Sequence, residues 1–368
     1  MFGFEKKLAK LVCDYSLKIK EGDIVEIRGE VAAEPFIREL YRYLLEIGAY
    51  PLVRISFNEQ MHTFYKYAKD SQLQMVPEIL LTTAKTLSAL IHIDSESNTR
   101  QLSNIDPSKI ALHRKSTKIL KDIMFEREAK GEFRWVIAPY PTSAMAQDAE
   151  MSLEDYADFI EMACKLYEDD PVEAWRRVDT YQQNVVSILE GTNRLRIIGH
   201  KTDLTLSTKE RKWINCSGRH NLPDGEVFTS PVEDSAEGEI FFDIPTSFMG
   251  VEVIGVHLLF EKGKVVKASA EKGEHFLNKM LETDEGAKFV GEIAFGLNES
   301  VTIPSKNILF DEKIGRTIHL AIGSSYPEAG GKNQSGLHWD LIKDMKKGGK
   351  VYKDGKLIYS DGLFIDVD

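Results

Sequence analysis

The sequence predicts two domains of different class, an α/β domain over residues 1–185 and a β-rich α+β domain over residues 186–368. The first observation is length, because 368 residues exceed the roughly 250–300 that one hydrophobic core usually supports. The second is that helix and strand signals alternate through the first half, which favours a mostly parallel sheet with flanking helices. The third is a change near residues 185–195, after which short alternating strands and turn signals dominate.

The elements of the first half follow from apolar spacing. Apolar residues at helical intervals predict one helix within residues 4–15 and another over 36–47, with Pro35 in its first turn and Gly48 at its end. Ser152, followed by Asp155, is typical of a helix start. Short apolar runs predict four strands, at residues 24–27, 51–55, 90–93 and 135–138.

The sequence of the second half predicts β-hairpins and few helices. Alternation predicts strands around Leu195–Ile197 and Leu204–Leu206, and Pro223-Asp224-Gly225 is a turn signal before a strand at 226–229. Residues 251–260 and 264–270 are predicted to form one hairpin. Asp354-Gly355, between apolar runs, indicates a type I′ hairpin. One helix is expected at 274–283, with a short one after it.

Composition excludes several classes of protein. The 47 Lys and Arg against 58 Asp and Glu give a net charge of −11, which argues against a general nucleic-acid partner. The three cysteines lie far apart, as expected in a reducing compartment. There is neither a signal-peptide pattern nor an apolar run of the roughly 18–20 residues that a membrane span needs. We therefore expect a soluble cytoplasmic protein with no membrane partner. Phosphate-loop, dinucleotide, G-x-S-x-G and H-E-x-x-H motifs are also absent.

Five polar residues in the second half point to metal chemistry: Glu226, Glu292, His319, His338 and Asp340. Each lies within or beside an apolar stretch, where an ionised carboxylate is costly to bury unless it is paired or bound to a cation. His338 and Asp340 are two apart on a predicted strand and so share a face. Three carboxylates and two imidazoles suit a pair of divalent ions such as Zn, Co or Mn rather than Cu(I).

Spacing alone leaves simpler interpretations open. An H-x-D pair is common without a metal. Glu226 follows a turn and is compatible with a solvated position, and Glu292 fits the exposed side of an alternating strand.

Taken together, the ordered blocks resemble a known family. GRHNLPDGEVFTSP, TDEGAKFVGE, HLAIGSSYPE and SGLHWD occur in the order and with the content typical of the thermophilic aminopeptidase T family of metallo-aminopeptidases. APYPT, from Ala138, and the acidic helix from Ser152 are similar to the N-terminal half of that family. The resemblance covers most of the chain and is densest over residues 190–345. The segment between Tyr326 and His338 is shorter than in well-known members, which bears on substrate access.

The resemblance implies an exopeptidase that removes N-terminal residues from peptides with two divalent ions, of which Zn, Co, Mn and Mg all stay open. It places the metal ligands at the five residues above and implies that Tyr326 and Glu292 are catalytic, Glu292 as a bridging ligand. It does not identify the glutamate that takes the proton from water. It also implies a C-terminal catalytic domain over residues 186–368, peptide substrates with a free N-terminus, and a homodimer.

Two other functions are compatible with the same residues. One is a two-metal hydrolase of another amide or ester bond. The other is a non-catalytic homologue that binds peptides. The presence of all five ligands and of Tyr326 argues against the second, and the scarcity of arginine near the ligand blocks argues against phosphate esters.

Overall fold

The computed structural model describes residues 3–365, which form two compact units. The first contains the described chain up to Val172 together with Gly218–Leu222, and the second contains Glu173–Ser217 and the chain from Pro223 onward. The boundary predicted between residues 185 and 186 lies inside the helix Pro171–Leu189. That position marks where the chain becomes β-rich, but the end of this helix packs in the core of the second unit through Val185, Val186 and Leu189.

The first unit is an α/β structure built on a four-stranded parallel sheet. The strand order is β2-β1-β3-β4, and every neighbouring pair is parallel. Residues such as Val25, Ile27, Ile91 and Val136 are fully buried in it, as expected when helices cover a parallel sheet. The strands are β1 Ile24–Glu30, β2 Tyr50–Ser56, β3 Ala89–Asp94 and β4 Arg134–Pro139.

Helices precede, connect and follow these four strands. The first is followed directly by a π-helical segment, Leu11–Ser16, and Ser152 caps α8 by accepting a hydrogen bond from the Asp155 N–H, as its sequence predicts. The helices are α1 Glu5–Lys10, α2 Glu34–Glu46, α3 Gln60–Tyr67, α4 Asp70–Gln74, α5 Glu78–Thr86, α6 Pro107–Ala129, α7 Ser143–Asp148 and α8 Leu153–Ala163.

The second unit is dominated by antiparallel sheets. Its helices are α9 Pro171–Leu189, which belongs to this unit from Glu173 onward, α10 Glu274–Leu281 and α11 Ile308–Asp311. Its strands are β5 Arg194–Gly199, β6 Thr202–Ser207, β7 Ile214–Cys216, β8 Glu226–Thr229, β9 Glu237–Phe242, β10 Thr246–Phe248, β11 Val251–Val253, β12 Val256–Glu261, β13 Lys264–Ser269, β14 Val290–Gly296, β15 Thr317–Gly323, β16 His338–Asp344, β17 Lys350–Lys353, β18 Lys356–Ser360 and β19 Leu363–Phe364.

These strands form two large sheets and a two-stranded sheet of β10 and β11. An eight-stranded sheet has the order β13-β12-β9-β6-β5-β17-β18-β19, and a five-stranded sheet has the order β16-β15-β14-β8-β7. One core receives side chains from both, including Leu204 and Leu258 from the first and Ile293 and Leu320 from the second. The second face of the five-stranded sheet is therefore available for other side chains.

The predicted fold class is confirmed, with one local error. Asp354 and Gly355 both have positive φ, as a type I′ turn requires, and the hairpin β17–β18 forms around them. The single strand predicted over 251–260 is wrong. The chain turns at Gly255, where φ is +64°, and β11 pairs with β10 in a separate two-stranded sheet. Within residues 3–365, no helix is both long and apolar enough to cross a membrane.

Candidate metal centre

The five predicted ligands lie on the second face of the five-stranded sheet. Glu226 begins β8, Glu292 lies on β14, His319 on β15, and His338 and Asp340 on β16. Successive strand residues point to opposite faces, so the apolar neighbours of each ligand enter the core. Trp339, for example, stacks on Phe248 with ring centroids 5.1 Å apart. Alternation thus produces a core face and a polar face from the same strands.

Small residues leave space between the five side chains. Each ligand faces an alanine or a glycine on a neighbouring strand: Glu226 faces Gly296, His319 faces Ala294, Glu292 and Asp340 both face Ala321, and His338 faces Gly323. Directly opposed residues point to the same side of a sheet, so these positions border the site. A larger side chain at Ala294 or Ala321 would fill space that the polar groups share, whereas a Cβ at Gly296 or Gly323 would meet the backbone of Ile314 or Leu337.

The structure brings all five side chains within contact distance. His319 Nε2 lies 3.3 Å from Glu226 Oε2 and 3.7 Å from Glu292 Oε1. His338 Nε2 lies 3.4 Å from Glu292 Oε2 and 3.6 Å from Asp340 Oδ1. Glu292 therefore contacts one imidazole with each of its oxygens and occupies the middle of the cluster.

Four of the five are buried, and several of their polar atoms lack hydrogen bonds. The exposed fractions are 6% for Glu226, 3% for Glu292, 1% for His319 and 6% for Asp340, which rules out solvated positions for the carboxylates. Within the described chain, Glu226 Oε2, both ring nitrogens of His319 and Asp340 Oδ1 are buried without a hydrogen-bond partner. Buried polar atoms of this kind normally bind something. Oxygen and imidazole donors this close together fit a divalent ion.

Burial and mutual contact perturb the pKa values of these groups. Burial disfavours charge on the histidines, but Asp340 and Glu292 outweigh it at His338 and raise its pKa to about 12. The nearby carboxylates of Glu292 and Glu226 outweigh burial at His319 in the same way and raise its pKa to about 9. Burial raises the pKa of Glu226 to about 8, whereas His338 overcomes burial at Asp340 and lowers its pKa to about 2. Both imidazoles are thus in the positively charged form, and a metal ion would displace one proton from each.

Tyr326 lies beside this cluster. Its hydroxyl oxygen is 3.4 Å from His338 Nε2, and its ring packs edge-on against that imidazole with centroids 5.2 Å apart. Its backbone N–H donates to Ser230 Oγ at 2.9 Å. His338 Nδ1 lies 2.9 Å from the Ser324 carbonyl oxygen, which only accepts, so Nδ1 donates and Nε2 faces the site.

Sequence reasoning missed three charged residues next to Glu226. Lys313 is fully buried, with Nζ 2.6 Å from Glu226 Oε1, 2.6 Å from Glu312 Oε1 and 3.5 Å from Asp224 Oδ1. Burial alone would lower the pKa of Lys313, but these carboxylates raise it well above its usual range. Nothing in the local sequence signals this, because an Asp-Glu-Lys run after a short helix is typical of solvent-exposed chain.

Donor atoms converge in three groups among the described residues. In each group one atom per residue lies within 4.8 Å of the others. The groups are Glu292 with His319 and Asp340, Glu226 with Glu312 and His319, and Cys216 with Asp224 and Glu226. The first two groups share His319, so they are adjacent on the sheet face.

The sequence profile of the thermophilic metalloprotease family (M29) matches residues 5–364. The chain belongs to this family. It is accordingly an enzyme, a hydrolase of the metallo-exopeptidase class, and the family membership expected from the ordered sequence blocks is confirmed. The requirement for divalent metal agrees with the donor groups on the sheet face.

Several relatives named as aminopeptidases align with nearly the whole chain. Aminopeptidase AmpS of Bacillus subtilis is 28% identical over 97% of both chains. Aminopeptidase 2 of Geobacillus stearothermophilus is 26% identical over 95% of this chain and 94% of its own. Aminopeptidase T of Thermus thermophilus is also 26% identical, over 95% of each.

Solved structures share the fold. Wild-type AmpT from Thermus thermophilus superposes with a TM-score of 0.83 at 24% identity, over 98% of this chain and 99% of that one. A 2,5-dihydroxypyridine dioxygenase from Pseudomonas putida KT2440 gives a TM-score of 0.63 at 13% identity, over 99% of this chain and 97% of that one. The architecture of this M29 member is therefore shared with a chain named for a different reaction, so its function has to be argued from its site.

Proposed function

We propose that this M29 protein removes the N-terminal residue from peptides by means of two divalent ions held on the five-stranded sheet. The observation that carries the proposal is the buried cluster of three carboxylates and two imidazoles with unpaired donor atoms. Zn, Co, Mn and Mg are the candidate metals. Glu226, Glu292, His319, His338 and Asp340 are the proposed ligands, and Glu312 adds a carboxylate that the sequence did not suggest.

The proposed roles follow from the contacts. Divalent ions in such a site act as Lewis acids toward water and the scissile carbonyl. Glu292 is the proposed bridging ligand, and so a catalytic residue, because each of its oxygens faces a different histidine. Tyr326, with its hydroxyl at the edge of the cluster, is proposed to donate a hydrogen bond to the oxyanion that develops on the substrate carbonyl.

The proposed substrates are peptides with a free amino terminus, the proposed assembly is a homodimer, and the proposed compartment is the cytoplasm. None of Cys13, Cys164 and Cys216 forms a disulfide within residues 3–365, which supports a reducing compartment. The names of the relatives support peptides as substrates.

Hydrolysis of a leucine-initiated peptide tests the proposed function. The protein is reconstituted with Zn²⁺ or Co²⁺ and assayed for free leucine, with and without a chelator. Release that the chelator stops, and that is lost when the peptide is N-acetylated, is the expected result. Equal cleavage of the acetylated peptide would contradict N-terminal selectivity. No release with any metal, in protein that binds two ions, would point to another scissile bond or to a binding function.

A further inference from the structure

Lys313 is an unusual component of this site. It is fully buried and follows the short helix α11, one residue after Glu312. Its Nζ lies 2.6 Å from one oxygen of Glu226 and 2.6 Å from one oxygen of Glu312. A buried ammonium ion is tolerated only where such partners compensate for lost hydration.

These contacts divide the oxygens of Glu226 between two partners. Oε1 accepts a hydrogen bond from Lys313, while Oε2 lies 3.3 Å from His319 Nε2 and has no hydrogen-bond partner among the described residues. Lys313 thereby fixes the carboxylate and directs its free oxygen toward the rest of the site.

The same ammonium group accounts for a donor group that would otherwise suggest an additional ion. Cys216, Asp224 and Glu226 place donor atoms within 4.8 Å of one another. Lys313 Nζ already lies between the two carboxylates, 3.5 Å from Asp224 Oδ1. The chain itself supplies a cation at this position.

We propose that Lys313 is a positioning residue that makes the two metal positions unequal. It orients Glu226 and Glu312, and its charge weakens binding of the ion that these carboxylates hold. The ion held by Glu292 and Asp340 is then the tighter one. This inference rests on the two-ion site of the proposed function. It states that one of the two ions is bound tightly and that the other exchanges readily.

The physical basis is repulsion between like charges. A divalent ion that shares Glu226 or Glu312 with Lys313 must lie a few ångströms from its ammonium group, in a buried environment where charges are weakly screened. Removing that charge strengthens cation binding nearby. A purely structural role for Lys313 predicts the opposite sign, because a disordered Glu226 would weaken binding.

The test is a titration of the metal-free protein with Co²⁺. Binding is monitored by calorimetry and by the visible absorption of bound cobalt. Wild-type protein is expected to bind two ions in two distinguishable steps. Lys313→Gln, which is neutral but still polar, is expected to tighten the weaker step at least tenfold. Lys313→Arg, which keeps the charge, is expected to retain the wild-type steps. Lys343→Gln is the matched control, because Lys343 is equally buried but bonds to His200 O and Phe241 O on the core side of β16.

The outcomes separate this inference from the proposed function. Two wild-type ions with an unchanged or weakened second step in Lys313→Gln would overturn the inference and leave the function standing. Wild-type protein that binds fewer than two Co²⁺ would overturn both. If Lys313→Gln folds only with Co²⁺ present, an ion has replaced the missing cation, which supports the inference. If it stays unfolded even with Co²⁺, Lys313 serves the fold and the inference is wrong.

Discussion

The two histidines of the site are held in different ways. His338 is oriented by the Ser324 carbonyl oxygen, which fixes its tautomer, and its side chain is 29% exposed. His319 is 1% exposed, and neither of its ring nitrogens has a hydrogen-bond partner in the described chain. His319 Nε2 faces both Glu226 and Glu292, so it would bind an ion together with one of these carboxylates, and Glu292 remains the proposed bridging ligand.

Replacing Asp340 tests the ligand assignment. Asp340→Asn keeps the size of the side chain but removes the charge, so metal affinity is expected to fall by about 100-fold or more, with hydrolysis falling in parallel. Metal content by mass spectrometry and circular dichroism of the folded protein are the measurements. The control is Asp203→Asn, an exposed partner of Arg196 in the same unit. Normal turnover in Asp340→Asn would remove Asp340 from the ligand set.

Replacing Tyr326 separates catalysis from metal binding. Tyr326→Phe is expected to lower turnover by about 10²-fold, the scale of one lost oxyanion donor, with metal content unchanged. Tyr359→Phe is the matched control, since that hydroxyl is buried without a partner in the described chain. Unchanged turnover in Tyr326→Phe would show that the hydroxyl has no part in the reaction.

Metal binding is expected to depend steeply on pH. The pKa values of His319 and His338 are raised to about 9 and about 12 in the ion-free site, so both imidazoles are protonated at pH 7. Each must lose its proton to bind a metal. Affinity should therefore rise with pH by about two log units per pH unit between about pH 8 and 9, and more steeply below about pH 8, where Glu226 is protonated as well. Calorimetry in buffers of different ionisation enthalpy counts the protons released, and a count near zero would contradict these pKa directions.

At the scale of elements, strand alternation creates the site. The residues between the ligands, such as Ile293, Ile318 and Leu341, enter the core and hold the strands in register. The sequence predicts this arrangement because period-two alternation is visible in FVGEIAFG and RTIHLAIG. It does not predict Glu312 or Lys313, since their burial depends on where the chain after α11 packs rather than on a local pattern. The strand break at Gly255 was missed because residues 251–260 are mostly apolar and a single glycine is the one turn signal within them.

Filling the space between ligands should impair the site more than the fold. Ala321 faces both Glu292 and Asp340, so Ala321→Val is expected to lower metal affinity at least tenfold. Ile322→Val, one residue along on the core face, is expected to cost about 0.5–1.5 kcal/mol of unfolding free energy and to leave metal affinity unchanged. Denaturant unfolding and metal titration of both variants compare the two faces. Equal effects on metal affinity would contradict the division of the strand into a core face and a site face.

At the scale of the whole molecule, the ligands and their supporting core come from one unit. All five proposed ligands, as well as Tyr326 and Lys313, belong to the unit that contains Glu173–Ser217 and the chain from Pro223 onward. Fold class and family were predictable from the sequence because they depend on long patterns and on four ordered blocks. The boundaries of the two units were harder to predict from the sequence. Gly218–Leu222 belongs to the first unit by its contacts, although it lies within the sequence of the second. Contacts between residues far apart in the chain decide such membership, and no local pattern reports them.

A crystal structure of the protein soaked with Co²⁺, with diffraction data collected on both sides of the cobalt absorption edge, would show directly whether two ions bind on the sheet. Two anomalous peaks are expected on the face of the five-stranded sheet that carries the ligands, about 3.5–4 Å apart, with Glu292 between them. A single peak, or peaks away from Glu226, Glu292, His319, His338 and Asp340, would contradict a two-metal site built on these residues.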